Sequence, residues 1–396
     1  MSKLVTGLDP QQTRLVPWVQ SQRSGSKADR TLREIEVSMP NLLAHRTFSL
    51  SGSGAKLLSE IAAEISELGA LDSKALGLLA PLLLRHESIA SSKIEGLRVS
   101  GFELARAQAG IKENPMAREM LRGLEAAKRI RESELSQKNL LAAHEVLMVS
   151  SDDAVWAGKY REIQNWIEGS DHSPLGASYV PPVPEAVSGL MDDLFAFISR
   201  VDLSSLLIAV IAHAQFESIH PFTDGNGRIG RALMTRILYS TSPESALIPL
   251  SAGLAQAKEE YFLALTNYRL GDVDALLTLV LKSIRASIAA ARELERGLGE
   301  LSASMRIALG IVRKGSATDL ILQHLLSYPV VQAADLATEF RLGPNSVYSS
   351  LDRLISAGII VPVTSRKGNQ VWACPQVFDL LDTFDAEVAQ AMRTNS

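Results

Sequence analysis

The sequence predicts a mainly α-helical protein with one short β-hairpin and a small C-terminal module in which helices precede two strands. Three observations predict it. Apolar residues recur at helical spacing through most of the chain, strand-like stretches are confined to two places, and the last eighty residues change organisation. At 396 residues, 46% of them hydrophobic, the chain is long enough for two or three domains. We divide it into an N-terminal arm and helical module (1–114), a core (115–300) and a C-terminal module (301–396).

The first fifty residues are mixed and include Pro17 and Pro40, so they read as an irregular arm lying over the domain. From Ala55 to Leu68 the residues Leu57, Leu58, Ile61, Ile65 and Leu68 follow helical spacing. Pro81 to Glu95 reads as a helix with Leu82, Leu83, Ile89 and Ile94 among its apolar positions, and Gly96 suits its C-cap. Further helices are expected over Met120 to Ile130 and Asn139 to Val149. Arg161 to Ile167 and Ala177 to Val180 form the two arms of a hairpin around a polar tip, closed by Pro181-Pro182. Helices follow over Pro184 to Ile198, Leu203 to Ile219, Ile229 to Ser240, Leu254 to Leu270 and Asp272 to Leu298.

Between two of these helices lies the stretch richest in chemistry, HPFTDGNGRIGR, from His220 to Arg231. Gly225 and Gly227 flank Asn226, and glycines permit the positive φ that turns successive N–H groups into an anion nest. The helix that follows adds its own N-terminal donors and dipole. Arg228 and Arg231, three apart, face the same side and suit phosphate oxygens. Asp224 is a hard oxygen ligand of the kind Mg²⁺ uses beside nucleotide phosphates. His220 titrates near neutrality and suits removal of a proton from a hydroxyl. The combination describes a phosphate-handling loop with its own base.

This loop resembles the signature of the Fic family, HPFx[DE]GNGRxxR, at every fixed position. The resemblance implies a helical core that binds ATP with Mg²⁺ and transfers AMP to a Ser, Thr or Tyr hydroxyl of a target protein. In that scheme His220 is the base and Asp224 the Mg²⁺ ligand. Gly225, Asn226 and Gly227 hold the α- and β-phosphates, Arg228 neutralises the β-phosphate, Arg231 reaches the γ-phosphate, and Phe222 anchors the loop. Ser91-Ser92-Lys93-Ile94-Glu95-Gly96 resembles the family's inhibitory motif [ST]xxxE[GN], which implies that Ser91 and Glu95 belong to an inhibitory helix and that Glu95 pairs with Arg231. The hairpin resembles the family's flap, so a target segment is expected along Ala177 to Val180 by main-chain pairing. Glu260-Tyr261-Phe262 resembles the aromatic pair on the adenine side, which assigns Tyr261 to nucleotide binding.

The tail, from about Ala317, gives helices over Asp319 to Ser327, Ala333 to Phe340 and Asn345 to Ala357, then strands over Ile359 to Val363 and Gln370 to Ala373. That order resembles a winged helix-turn-helix, with Asn345, Ser346, Ser349 and Arg353 on the recognition helix and Arg366 and Lys367 on the wing. Between Lys314 and Ser396 stand six basic and eight acidic residues, a net of −2, so DNA competes with a protein partner or a homodimer contact as its role.

Composition sets the remaining bounds. A net charge of −4 argues against wholesale nucleic-acid binding, and the single cysteine, Cys374, excludes an internal disulfide framework. The seven histidines hold no pair at zinc-ligand spacing, and His86, His144 and His213 read as packing or capping residues. No apolar leader opens the chain and its longest apolar run, Ala75 to Leu84, is too short to span a bilayer, so a cytoplasmic protein is expected. Two classes of function follow: an adenylyltransferase inhibited by Glu95, or an enzyme of the same kind that removes AMP from modified targets with Glu95 orienting water; and a DNA-binding regulator whose core senses nucleotide.

Overall fold

The computed structural model describes residues 3–20, 24–69, 73–111, 114–151, 154–239, 248–363 and 370–394. Along the chain run β1 (Val5–Thr6), β2 (Gln12–Pro17), α1 (Lys27–Thr31), β3 (Glu34–Met39), β4 (Ser49–Leu50), α2 (Gly52–Gly69), α3 (Ser73–Ile94), α4 (Gly101–Gln108), α5 (Pro115–Glu132) and α6 (Gln137–Met148). They are followed by α7 (Pro184–Ile198), α8 (Ser205–Ile219), α9 (Asn226–Leu238), α10 (Leu250–Gln256), α11 (Lys258–Arg269) and α12 (Asp274–Leu309). The tail holds α13 (Ala317–Leu325), β5 (Val330–Gln332), α14 (Ala333–Glu339), α15 (Pro344–Ser356), β6 (Val361–Pro362), β7 (Val371–Ala373) and α16 (Pro375–Thr394). The chain is mainly helical, as expected. Its two compact units are each drawn from three separate stretches: Met1–Glu60, Glu125–Pro243 and Lys258–Val280 in the first, Ile61–Leu124, Glu244–Ala257 and Leu281–Ser396 in the second.

In the first unit α8 is the central element. Every residue from Leu206 to Ile219 is buried, polar ones included, which is the signature of a helix enclosed on all sides. Ser204 caps its start by accepting from the Leu207 N–H at 3.3 Å, and α7, α9 and α11 pack around it. The N-terminal residues are not the irregular arm expected. β2 and β3 pair antiparallel over six residues, and Asp274 accepts the N–H groups of Leu4 and Val5 at 2.6 and 2.8 Å. The alternation Glu34-Ile35-Glu36-Val37, exposed and buried in turn, carries the strand. Helix α9 begins at Asn226, not Ile229, and the helix expected over Leu254 to Leu270 is two, broken at Ala257.

In the second unit α3 starts at Ser73, eight residues before Pro81, and runs through that proline. Leu79, Leu82 and Leu83 are fully buried, so packing outweighs the local cost of an interior proline. It ends as expected: Gly96 takes φ 87° and the Leu97 N–H reaches the Ser92 carbonyl at 3.1 Å. The Glu87 carboxylate accepts from the Ser251 N–H in the first turn of α10 at 2.7 Å, where the helix dipole favours a negative charge. Asp385 of α16 bridges two α3 residues, meeting His86 Nε2 at 2.6 Å and Lys93 Nζ at 2.7 Å. Burial pushes the Asp385 carboxyl up, but His86 and Lys93 outweigh it and hold the group down at about 2. Helix α4, not anticipated from the sequence, opens on a reciprocal Ser100–Glu103 capping box.

The tail contains the expected helices and strands, shifted by a residue or two, plus β5 and the long α16, neither of which was anticipated. β7 pairs antiparallel with both β5 and β6. Arg353 lies on α15, and its guanidinium donates to the Leu309 and Ile311 carbonyls at 2.9 and 2.6 Å, so it is committed within the chain. Arg366 and Lys367 lie outside the described residues.

Candidate functional site

The site is built where α8 gives way to α9. His220 closes α8 by donating its N–H to the Phe216 carbonyl at 2.8 Å, in the left-handed region at φ 49°. Pro221 disfavours a right-handed helical residue before it and has no N–H to continue the ladder, so the helix must stop there. A non-glycine residue held left-handed costs of order 1 kcal/mol, and something must hold it.

Arg161 does. It is 2% exposed, and its Nε donates to the His220 carbonyl at 2.9 Å. Its Nη2 reaches the Pro182 carbonyl at 2.6 Å and that of Ile219 at 3.4 Å, its Nη1 reaches Ile163 at 3.3 Å, and its N–H donates to Pro221. Burial lowers its pKa to about 10, so it remains a cation at neutral pH. One planar fork thus saturates four carbonyls that α8's end and the neighbouring loop leave open.

Phe222 is fully buried, its ring stacked on His144 at 3.7 Å. The Asn226 carboxamide accepts from the Phe222 N–H and donates to its carbonyl, both at 2.9 Å, while Asn165 donates to the same carbonyl at 2.8 Å. The side chain of Asn226 is therefore spent on closing the loop, and what it offers an anion is backbone. His144 accepts from the Gly158 N–H at Nδ1 (3.1 Å) and so donates from Nε2 to the Asp224 carbonyl (3.1 Å). Burial lowers its pKa to about 4 and keeps it neutral in this tautomer.

Gly225 stands at φ 78°, which favours glycine, and a Cβ there would also crowd the end of the Leu147 side chain at 2.7 Å. Gly227 is different from expectation: it lies within the first turn of α9 and does not take a positive φ. The nest is one left-handed glycine followed by a helix N-terminus, whose first N–H groups have no intrahelical acceptor. Asp224 accepts from the Gly225 N–H at 2.6 Å, its side chain is 57% exposed, and Arg228 lies 3.7 Å away. Arg228 is buried and Arg231 is 1% exposed, so neither is the solvated arginine of an ordinary first turn. The structure brings His220, Asp224, Gly225, Asn226, Gly227, Arg228 and Arg231 together; Ser91, buried, and Glu95, exposed, belong to the second unit.

Two assignments change. Tyr261 is 1% exposed and its hydroxyl meets His213 Nε2 at 2.7 Å, so it is a core residue; its neighbour Phe262 is 44% exposed. The hairpin is a loop stem with a single bridge, Ile167 to Tyr179, rather than two strands. Its closing bonds are Ile167 N–H to Tyr179 O and Ser178 N–H to Ile167 O, both 2.9 Å, and the Val180 carbonyl accepts from the Ser38 N–H of β3 at 2.9 Å. Arg161, His144 and Asn165 were missed as site residues. The run Gly158 to Arg161 was the available signal, but it does not say which carbonyls an arginine will serve.

Residues 134–238 match the Fic/DOC family. The protein adenylyltransferase fic-1 of Caenorhabditis elegans is 29% identical over 160 residues, 39% of this chain and 28% of that protein. A probable protein adenylyltransferase of Aquifex aeolicus is 29% identical over 198 residues, 48% of this chain and 57% of that protein. The chain thus spans between about a quarter and somewhat over half of the length of these relatives. Among solved structures, a Fic family protein from Desulfovibrio desulfuricans G20 superposes with TM-score 0.57 at 22% identity, covering 82% of this chain and 97% of that one.

Proposed function

The chain is a Fic family protein through residues 134–238, and on that premise we propose that it transfers AMP from ATP to a Ser, Thr or Tyr hydroxyl of a protein. The observation that carries the proposal is the pairing of a fixed base with an anion cradle. His220 is held out of α8 with its carbonyl locked by Arg161, five residues before the Gly225 turn and the start of α9. In the reaction, imidazole takes the hydroxyl proton, the hydroxyl oxygen bonds to the α-phosphorus, and the bond from that phosphorus to the bridging oxygen breaks to release pyrophosphate. The first-turn N–H groups of α9 hold the phosphates, and Arg228 and Arg231 offset their charge. Asp224 suits a Mg²⁺ ion, being an exposed, hard oxygen donor only loosely paired to Arg228; such an ion supplies charge neutralisation beside phosphates. On the adenine side, the exposed ring is Phe262, with Tyr261 behind it.

Glu95 is read as the inhibitory carboxylate at the end of α3. Labelled-ATP assays test the whole scheme. Glu95→Gly should raise AMP incorporation, self-modification included. Adding His220→Ala should abolish it by ~10²-fold or more while ATP still binds. No rise in the single variant sinks the inhibitory role, and a rise that survives the second substitution sinks the base. The regulator reading is the weaker one, because Arg353 on α15 is engaged with the Leu309 and Ile311 carbonyls.

A further inference from the structure

The loop from Ile163 to Pro182 is gripped from outside by residues near the N-terminus. Trp18 meets Trp166 edge to face, with centroids 5.8 Å apart. Gln20 Nε2 donates to the His172 carbonyl at 3.0 Å, and Ser24 Oγ lies 3.2 Å from His172 Nδ1. Gly25 packs so closely that a Cβ there would sit 2.7 Å from the His172 ring. At the centre is Asp29, a buried carboxylate that accepts from Ser173 Oγ at 2.6 Å, Ser26 Oγ at 2.6 Å and the Ser26 N–H at 2.7 Å. Hydrogen bonds from Ser170, Ser173 and Ser26 hold it well below the usual carboxylate range. Along the loop's second arm, Ser38 of β3 takes the Val180 carbonyl.

These contacts bear on where an acceptor can dock. The run from Ser178 to Val180 has Ile167 on one side and Ser38 on the other, so its main chain is paired within the protein on both edges. An extended acceptor therefore has to use the opposite arm, Ile163 to Trp166, where Ile163 is half exposed; the Ile163 and Asn165 carbonyls are taken by the Arg161 and Gln164 side chains, so the pairing there runs through the arm's N–H groups. The position of that arm depends on the loop being held. We infer that Asp29 and its neighbours are positioning residues for the protein acceptor: they fix the loop from outside, close its second arm to docking, and so present its first arm to an extended segment. This rests on the AMP-transfer reading.

The test compares wild type, Asp29→Asn and His172→Ala, each with and without Glu95→Gly. Hydrogen exchange at the Ile167 and Ser178 amides, whose bonds close the loop stem, should quicken by ~10-fold in Asp29→Asn and less in His172→Ala, with α8 amides unchanged. AMP incorporation into protein should fall by roughly 10-fold in kcat or more, since small displacements of a reacting group are costly, while ATP affinity and release of AMP to water stay within about two-fold. Unchanged exchange at both amides overturns the grip. Quickened exchange with undiminished incorporation overturns the positioning role. A loss of α8 protection in Asp29→Asn marks a global defect, and exposed His172→Ala then decides between the same two outcomes. If no variant incorporates AMP, Glu95→Gly included, the proposed function fails, and exchange alone decides the grip.

Discussion

At residue 226 a side-chain amide stands in for a peptide, since Asn226 returns to Phe222 the two hydrogen bonds that a strand partner would give it. Removing it leaves a buried N–H without an acceptor, at a cost of about 1–3 kcal/mol. Asn226→Ala should accordingly lower the urea midpoint with an unchanged m value; wild-type stability would refute the closure. His144 sets a pH dependence. Its pKa falls from an ordinary 6.5 to about 4 in the fold, so between those values the unfolded chain binds the extra proton and stability must decline as pH drops. The full penalty is ~3 kcal/mol, reached near pH 4. His144→Gln should flatten the stability curve between pH 7 and 4, measured by denaturant titration; a parallel curve would show that another group is responsible. The letters of the loop were legible because their types and spacing are fixed by chemistry. The expense of Asn226 and Arg161 on carbonyls was not, because spacing reveals neighbours and not which polar atoms of the chain are already satisfied.

Among the elements, the long helices were read with ends good to a few residues, and the errors have separate causes. α3 extends through Pro81 because buried leucines on either side outweigh a local breaker. The β2–β3 pair was overlooked because β2 is exposed or half-exposed throughout and shows no alternation, although β3 does. The loop at 161–182 was overread as two strands: its residues favour extended backbone, yet the Arg161 and Gln164 side chains take the Ile163, Asn165, Pro181 and Pro182 carbonyls of the loop itself. Packing between α3 and α16 yields its own prediction. Asp385→Ala would leave buried His86 without its acceptor and free Lys93, destabilising the fold by roughly 1–3 kcal/mol. His86→Ala added to it should cost little more, since both act through one contact. Additive losses in a double-mutant cycle would deny the coupling.

For the whole molecule, charge limits what the tail can do. A net of −4 on the chain, a net of −2 from Lys314 onward, and an Arg353 held by two carbonyls leave few cations for a phosphate backbone. Fluorescence anisotropy with random duplex should show no binding at micromolar protein in ~150 mM salt; tight, steeply salt-dependent binding would restore the regulator reading. Helical class was legible at this scale because apolar period reports it, whereas the interleaving of three stretches in each unit was not, since period carries no information on distant contacts. That interleaving has a consequence for synthesis. The partner of His86 lies 299 residues downstream, so at ~5–20 residues per second α3 leaves the ribosome roughly 15–60 seconds before Asp385 exists. Throughout that interval the stretches of the first unit, which end at Val280, are all made before the second unit's last one, and the segment bearing Glu95 waits for its anchor. A nascent chain stalled near residue 300 would carry the complete His220 loop ahead of the helix that buttresses α3, and the order of translation, rather than any ligand, would decide which of the two is finished first.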